Sequence, residues 1–424
     1  MLEEILSWRN IEKALLKVEQ NKGVCGIDGM QTDELRDYLQ WHYTELRTTI
    51  LNGTFRPQAV KKVEIPKPNG GTRMLGIPTV IDRLIQQAIS HRLSGLYEEG
   101  FSEYSYGFRP HRNAHQAVQQ GQKYVNSGYT YIVELDLEKF FDTVNHDRLM
   151  STLSIRIADT NLLRLIRLYL KSGIMEGGMI SQRTEGTPQG SPLSPLLSNI
   201  ILDELDRELT HRGHNFVRYA DDISIYLRSD KSANRVLANL TKYIENKLLL
   251  KVNRAKSKVS RPTRSKLLGF SFYKSKGEWL IRITKESIQR LKSKIRSKTQ
   301  RNAGLNYEQK IKVLNPIITG WVNYFRLSNA SKVMEDLDGF TRTRLRMGIW
   351  KEWKSGKTRI KNLIKLGIEK GKAYQWGHSS KQYCRVAHSP ILSRSLDNKF
   401  FAGKGYVGFS NYYKERTRTQ IPFF

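Results

Sequence analysis

The alternation of apolar and polar positions divides the chain into two kinds of segment. Along "VKKVEIPKPNGGTRMLGIP" (60–78), two short runs with strand character meet at Asn69-Gly70, a strong hairpin signal. "YIVELDLEKFFDTV" (131–144) reads as a strand running into a helix. A period of two puts Ile132, Glu134 and Asp136 on one face of that strand, with Val133 and Leu135 on the other. "VRYADDISIY" (217–226) predicts a hairpin with Val217, Tyr219, Ile223, Ile225 and Tyr226 in its arms and Asp221-Asp222 as its two-residue tip. "LLGFSFY" (267–273) predicts a further strand. Helical spacing appears within 1–50, where Ile11, Leu15 and Val18 share a face, and at 80–97, 111–127 and 231–248. "GTPQGSPLSPLLSNIILDELDREL" (186–209) is a Pro/Gly/Ser loop feeding a helix with Leu197, Ile200, Ile201 and Leu205 inward. Beyond 284 the character changes. Thr284 is placed to cap "KESIQRLKSKIRSKT", where Ile288, Leu291 and Ile295 form a stripe between Lys/Arg faces. The organisation is therefore α+β to about residue 275, then helical and basic.

Composition sharpens this division. The 424 residues leave room for two or three domains, and a 39% hydrophobic content suffices for globular cores. No stretch approaches the ~18 apolar residues of a membrane span. The start, "MLEEILSWRN", has neither a secretory nor a transit layout. Cys25 and Cys384 fit no disulfide framework and no Cys-rich zinc site, which suggests a reducing, cytosolic setting. The formal charge of +31 is concentrated. Residues 251–424 hold 40 Lys/Arg against 10 Asp/Glu, whereas residues 1–250 hold 31 against 30. Such a localised excess points to a polyanion, most often nucleic acid; a solvated basic face or an anionic membrane contact are the alternatives.

Two adjacent carboxylates in a half-buried hairpin need a reason. Asp136 ends its strand, where a side chain escapes the sheet and can face a neighbouring hairpin tip. Three carboxylates gathered there would repel one another unless cations were present. Two Mg²⁺ ions ~3.5–4 Å apart would remove that repulsion and equip the site for phosphoryl transfer. Each piece alone has an ordinary explanation: an Asp-Asp turn as a solvated loop, Asp136 as a helix cap, Asp142 as a structural residue one turn further on.

In order along the chain stand "NKGVCGIDGM", "VEIPKPNGGTRMLGIPTVIDRLIQQAI", "YGFRPHRNAHQA", "ELDLEKFFDTVNH", "GTPQGSPLSP", "YADD", "LLGFSF" and "GWVNYFR". Taken together, these motifs resemble those of reverse transcriptases, and the full set resembles the reverse transcriptases/maturases encoded by bacterial group II introns. The resemblance implies a right-hand polymerase fold, with α+β fingers and an antiparallel palm sheet over 1–275. It further implies an α-helical thumb (the maturase X domain) over 276–365 and a small basic DNA-binding domain over 366–424.

Carried over by position, Asp136, Asp221 and Asp222 are the catalytic metal ligands, with the carbonyl of Leu137 as an extra one. The ions would be two Mg²⁺, with Mn²⁺ as a substitute. Lys67 and Arg73 would hold the nucleotide phosphates, Arg being suited to bidentate contact. Phe141 would sit beneath the sugar as the gate against ribonucleotides, with Phe140 a core residue. Gln189 and Ala220 complete the dNTP side. Pro188, Gly190, Arg109, Lys292, Lys294, Arg296 and Trp321 would face template and primer, although Arg109 and Trp321 have equally ordinary structural explanations. Longer relatives end in an HNH endonuclease domain, whose clustered His and Cys are not found before Phe424.

The implied activity is RNA-templated DNA synthesis, with a second role in splicing the parent intron RNA and in retrohoming. The implied partners are group II intron RNA, an RNA template–DNA primer duplex, target DNA and dNTPs, with no membrane. The setting would be the bacterial cytoplasm, as a ribonucleoprotein. A splicing-only maturase with a dead palm, or a relative domesticated for repair or phage defence, are the rival readings.

Overall fold

The computed structural model describes residues 1–66, 70–176, 178–181, 184–302 and 304–418. Contacts divide the chain into two compact units, Met1–Leu268 and Gly269–Phe424. The strands of the first unit are β1 (Val60–Pro66), β2 (Thr72–Ile77), β3 (Tyr131–Leu135), β4 (Ile174–Glu176), β5 (Met179–Ser181), β6 (Asn215–Tyr219), β7 (Asp222–Leu227) and β8 (Lys258–Ser260). Those of the second are β9 (Phe270–Ser275) and β10 (Glu278–Ile283).

The first unit holds two four-stranded sheets. One runs β2-β1-β4-β5, and its β1–β2 hairpin spans the expected Asn69-Gly70 turn, although residues 67–69 lie outside the described residues. The other runs β6-β7-β3-β8 and is antiparallel throughout. Its strands are rich in Ile, Val, Phe and Tyr, whose branched or aromatic side chains fill a pleated surface; Ile132, Val133, Phe216, Val217 and Ile225 are essentially fully buried. Helices Ala114–Asn126, Ser194–His211 and Asp230–Asn246 pack on this sheet. Ser194–His211 is buried over much of its surface, including the polar Asn199 and Asp206. Its Pro195 sits at the start, where no intrahelical N–H bond is lost.

The pairing corrects one expectation. Tyr219 pairs with Asp222, so the hairpin tip is Ala220-Asp221 and Asp222 already belongs to β7. Ala220 takes φ 56°, a conformation that usually calls for glycine. The segment after β3 differs too: only Phe140–Thr143 is helical, entered through Lys139 at φ 47°.

In the second unit β9 and β10 form a hairpin, so the expected boundary at 275 would cut it, and the contact boundary lies earlier at 268. Thr284 caps helix Lys285–Lys298 by accepting from the Ser287 amide, with Leu291 and Ile295 buried. Residues beyond 365 do not separate from the preceding helices. Helix Phe409–Arg418 packs on Tyr307–Phe325 and Ser331–Glu352. The buried Asp338 carboxylate accepts from Tyr406 Oη (2.9 Å), Phe409 N (2.8 Å) and Ser410 N (2.9 Å).

Candidate active site

The register of the antiparallel sheet sets the carboxylates at neighbouring backbone positions. Leu135 of β3 lies opposite Ile223 of β7, and the next step of that register sets Asp136 beside Asp222, with Asp221 at the adjoining tip. Limited hydration raises the Asp221 pKa, and the Asp136 charge adds to this, while Arg73 and Lys256 pull it back. Asp222 keeps an exposed edge, but the surrounding protein limits its hydration. Together with the charges of Asp221 and Asp136 this pushes its pKa up to about 6.

Among the described residues, no three acidic, His or Cys side chains are gathered around one point. Asp136 instead turns to Lys256, whose Nζ lies 3.4 Å from Oδ2. Mutual repulsion accounts for the spread. Three hard oxygen donors, of which Asp221 and Asp222 have raised pKa values, are a donor set that fits a divalent cation. The carbonyl of Leu137 is not consumed by its bridge to Val252, because that pairing uses the Asp136 carbonyl and the Glu138 amide.

The turn is braced from behind. Arg218, fully buried, donates from Nε and Nη2 to both oxygens of the equally buried Asp206, at 2.6–3.0 Å. Its Nη1 donates to Asn199 Oδ1 (2.9 Å) and to the Ala220 carbonyl (3.1 Å). Asn199 Nδ2 in turn donates to the Gly107 carbonyl (2.9 Å). Gly107 must be glycine, since a Cβ there would collide with the Ala220 backbone nitrogen. The strained Ala220 is thus held by a buried ion pair, an amide and a close backbone contact.

In the same unit, a cavity of about 460 Å³ is lined by Arg73, Leu75, Phe141, Gln189, Gly190 and Ser191, and also by Asn21, Arg83 and Phe108. Four sequence-predicted residues therefore meet: Arg73, Phe141, Gln189 and Gly190. Pro188 is buried at the root of this loop, where its carbonyl accepts from Ser194 Oγ. Phe141 presents a small exposed margin, whereas Phe140 is core. Lys67 lies outside the described residues.

Arg109 is buried. Its side chain is ion-paired with Glu98 (2.8 Å), donates to the Ser105 carbonyl (2.9 Å) and lies over Phe101. In the second unit, Lys294 and Trp321 line a cleft of about 380 Å³ with Arg290 and Pro316. Lys292 and Arg296 instead stack over the Phe340 ring, at 5.5 and 5.3 Å.

Sequence reasoning missed two features. Lys256 belongs to "KVNRAKSKVSRPTRSK" (251–266), seven Lys/Arg with no acid, which was counted with the basic C-terminal region. The structure sets it in the first unit, where Lys256, Lys258 and Lys266 line a cleft with Glu134, Asp136 and Asp222. The Arg218–Asp206 pair had only one signal, an arginine inside an apolar strand.

Comparison with known proteins fits this geometry. Residues 65–272 match the reverse transcriptase (RNA-dependent DNA polymerase) family, and residues 288–367 match the group II intron maturase-specific domain. A match to the reverse transcriptase domain is thus followed along the chain by a match to the group II intron maturase domain. Protein YkfC of Escherichia coli K12 is 38% identical over 44% of this chain and 50% of its own length. The group II intron-encoded protein LtrA of Lactococcus lactis is 36% identical over 44% of this chain and 31% of its own. A putative COX1/OXI3 intron 2 protein of Saccharomyces cerevisiae is 34% identical over 41% and 20%. The chain thus spans half or less of the length of these relatives. Reverse transcriptases use divalent metal ions, in keeping with the donor set described above. Among the described residues no helix is long and apolar enough to cross a membrane.

Proposed function

We propose that the chain is an RNA-directed DNA polymerase of a group II intron, copying intron RNA into cDNA and assisting its splicing as a maturase. The observation that carries this reading is the sheet register that brings Asp136 to Asp222, with Arg73, Phe141 and Gln189 lining one cavity in the same unit. Two Mg²⁺ ions, or Mn²⁺, held by Asp136, Asp221, Asp222 and the Leu137 carbonyl would supply charge stabilisation for nucleotidyl transfer. Arg73 takes the triphosphate, Phe141 meets the sugar and Ala220 lies beside it. Pro188 and Gly190 carry the loop toward the new base pair. In the second unit, Lys292, Lys294, Arg296 and Trp321 offer a basic, partly aromatic face to the template–primer duplex or to intron RNA. Residues 276–365 act as thumb and maturase domain, and residues 366–424 contact target DNA. The setting is a bacterial ribonucleoprotein in the cytoplasm.

Primer extension on an RNA template tests the reading. Asp136→Asn and Asp221→Asn should each abolish extension while leaving RNA binding nearly intact, since charge stabilisation at the metal is the main catalytic contribution. If either variant retained more than about a tenth of wild-type extension, the metal assignment would be lost.

A further inference from the structure

Asp142 follows the sugar gate directly, and neither the motif resemblance nor the reaction assigns it a task. In the structure its Oδ1 accepts from Gln189 Nε2 at 3.3 Å, and Gln189 Oε1 accepts from Arg73 Nε at 2.7 Å. A guanidinium only donates and an ionised carboxylate only accepts. The amide between them therefore has one permitted orientation, oxygen to Arg73 and nitrogen to Asp142. The backbones on either side are pinned as well. Gly76 N donates to the Gln189 carbonyl (2.8 Å), which ties this loop to the strand that carries Arg73. Thr187 N donates to the Phe141 carbonyl (2.6 Å) and Gly186 N to the Val144 carbonyl (2.8 Å). A Cβ on Gly186 would lie 2.7 Å from the Asp142 carbonyl oxygen, so the loop sits as close to the gate helix as a backbone can. His146 Nε2 adds a bond to the Gly186 carbonyl at 2.7 Å.

We infer that Asp142 is a positioning residue for the triphosphate end of the incoming nucleotide. It fixes the Gln189 amide, and through it Arg73, at a set distance from Phe141. The inference rests on the nucleotide-polymerising reading above. Among the described residues the relay engages Arg73 through Nε alone, which leaves the two terminal nitrogens to grip phosphate oxygens as a fork. A long side chain already held in place gives up less freedom when the nucleotide arrives. The alternative is that Asp142 only staples the loop, in which case its loss would weaken folding or turnover without singling out nucleotide affinity.

The test uses the full chain on an RNA template with a DNA primer. Asp142→Ala and Gln189→Glu should each raise the dNTP KM about five- to tenfold while kcat stays within about twofold, the pattern of lost ground-state binding. In Gln189→Glu the new carboxylate faces Asp142, and the two repel. The double variant Asp142→Asn/Gln189→Glu restores the relay, because the new amide at 142 donates to the new carboxylate at 189, which still accepts from Arg73. Its KM should fall clearly below that of Gln189→Glu alone, a non-additivity expected only of residues in one network. Equilibrium titration of the same proteins with dATP, without turnover, should show the same order. A double variant no better than the worse single, or an Asp142→Ala effect confined to kcat, overturns the inference while extension by the wild type still upholds the polymerase reading. A wild-type chain that neither extends nor binds dATP refutes both.

Discussion

The two units use charge differently. In Met1–Leu268 the informative charges are paired with carboxylates, from the fully buried Arg218–Asp206 through Arg109–Glu98 to the exposed Lys256 beside Asp136. In Gly269–Phe424, 33 Lys/Arg face only 10 Asp/Glu, so most cations have no carboxylate to meet. Several lie on rings, as Arg228 and Arg261 do in the first unit: Lys292 and Arg296 on Phe340, Arg301 on Tyr383, Arg359 on Trp350, Lys381 on Trp376. Internal pairing makes a precise and brittle site, whereas ring-borne cations make a broad and tolerant surface. The sharpest way to break this comparison is to remove one partner from each. Arg218→Met strands a buried carboxylate and should cost the first unit about 3–5 kcal/mol, most of it recovered in Arg218→Met/Asp206→Leu. Changing Lys292, Lys294 and Arg296 together to Gln should cost less than about 1 kcal/mol. Urea unfolding measures both, and equal losses would erase the distinction.

A smaller effect is expected where the inward-facing site meets its substrate. Phe141 is buried except for the margin that lines the cavity beside Arg73 and Gln189. Phe141→Val should lower discrimination against ribonucleotides by about tenfold or more, about 1.4 kcal/mol. The ratio of kcat/KM for the two nucleotide types is the readout. An unchanged ratio would make the ring a core residue like Phe140 and move the gate elsewhere.

Strand period and motif order were enough to read the palm. Val133 and Leu135 are buried, and Asp136 escapes at the strand's end beside the hairpin, because a pleated strand leaves little choice of face. The exact tip was not legible. Asp221-Asp222 was the polar pair and therefore the natural turn, yet the register ends at Tyr219–Asp222 and puts the strain on Ala220. What allows an alanine there is tertiary: the Arg218 guanidinium, Asn199 and Gly107 arrive from three separate segments. Long-range polar bonds leave no local pattern in sequence. The same reason hid Glu98 as the partner of Arg109, and hid Lys256 in a basic run read as belonging with the C-terminal cations.

The carboxylate pair also predicts a pH dependence. The folded-state pKa of Asp222, pushed up to about 6, lies above its ordinary 3.8. The folded protein therefore binds the extra proton between those values, and metal-free stability falls as pH rises from about 4 through 6. A divalent cation needs the ionised form and competes with that proton. Its stabilising effect should be small at pH 5 and complete by about pH 7. Thermal unfolding with MgCl₂ or EDTA at each pH checks this. A Mg²⁺ shift that does not depend on pH, or one that persists in Asp222→Asn, would remove Asp222 from the metal site.

The smallest effect probes the second unit by itself. Cations held on rings are already ordered, so they can meet phosphates without first giving up side-chain freedom, and each contact releases counterions. Each such contact adds about 0.7–0.9 to the slope of log affinity against log salt. Changing Lys292, Lys294 and Arg296 to Gln should therefore lower that slope by roughly two, for intron RNA and for primer–template alike. Phe340→Leu separates charge from order. It keeps every cation but takes away the ring beneath Lys292 and Arg296, so the slope should hold while affinity falls about twofold at all salt concentrations. Filter binding from about 50 to 400 mM KCl, over which the Debye length shrinks roughly threefold, gives both quantities. A slope unchanged in the triple variant would mean that this face is merely solvated. A slope that drops in Phe340→Leu would mean that the ring, by placing the two cations, decides which of them reach the phosphates at all.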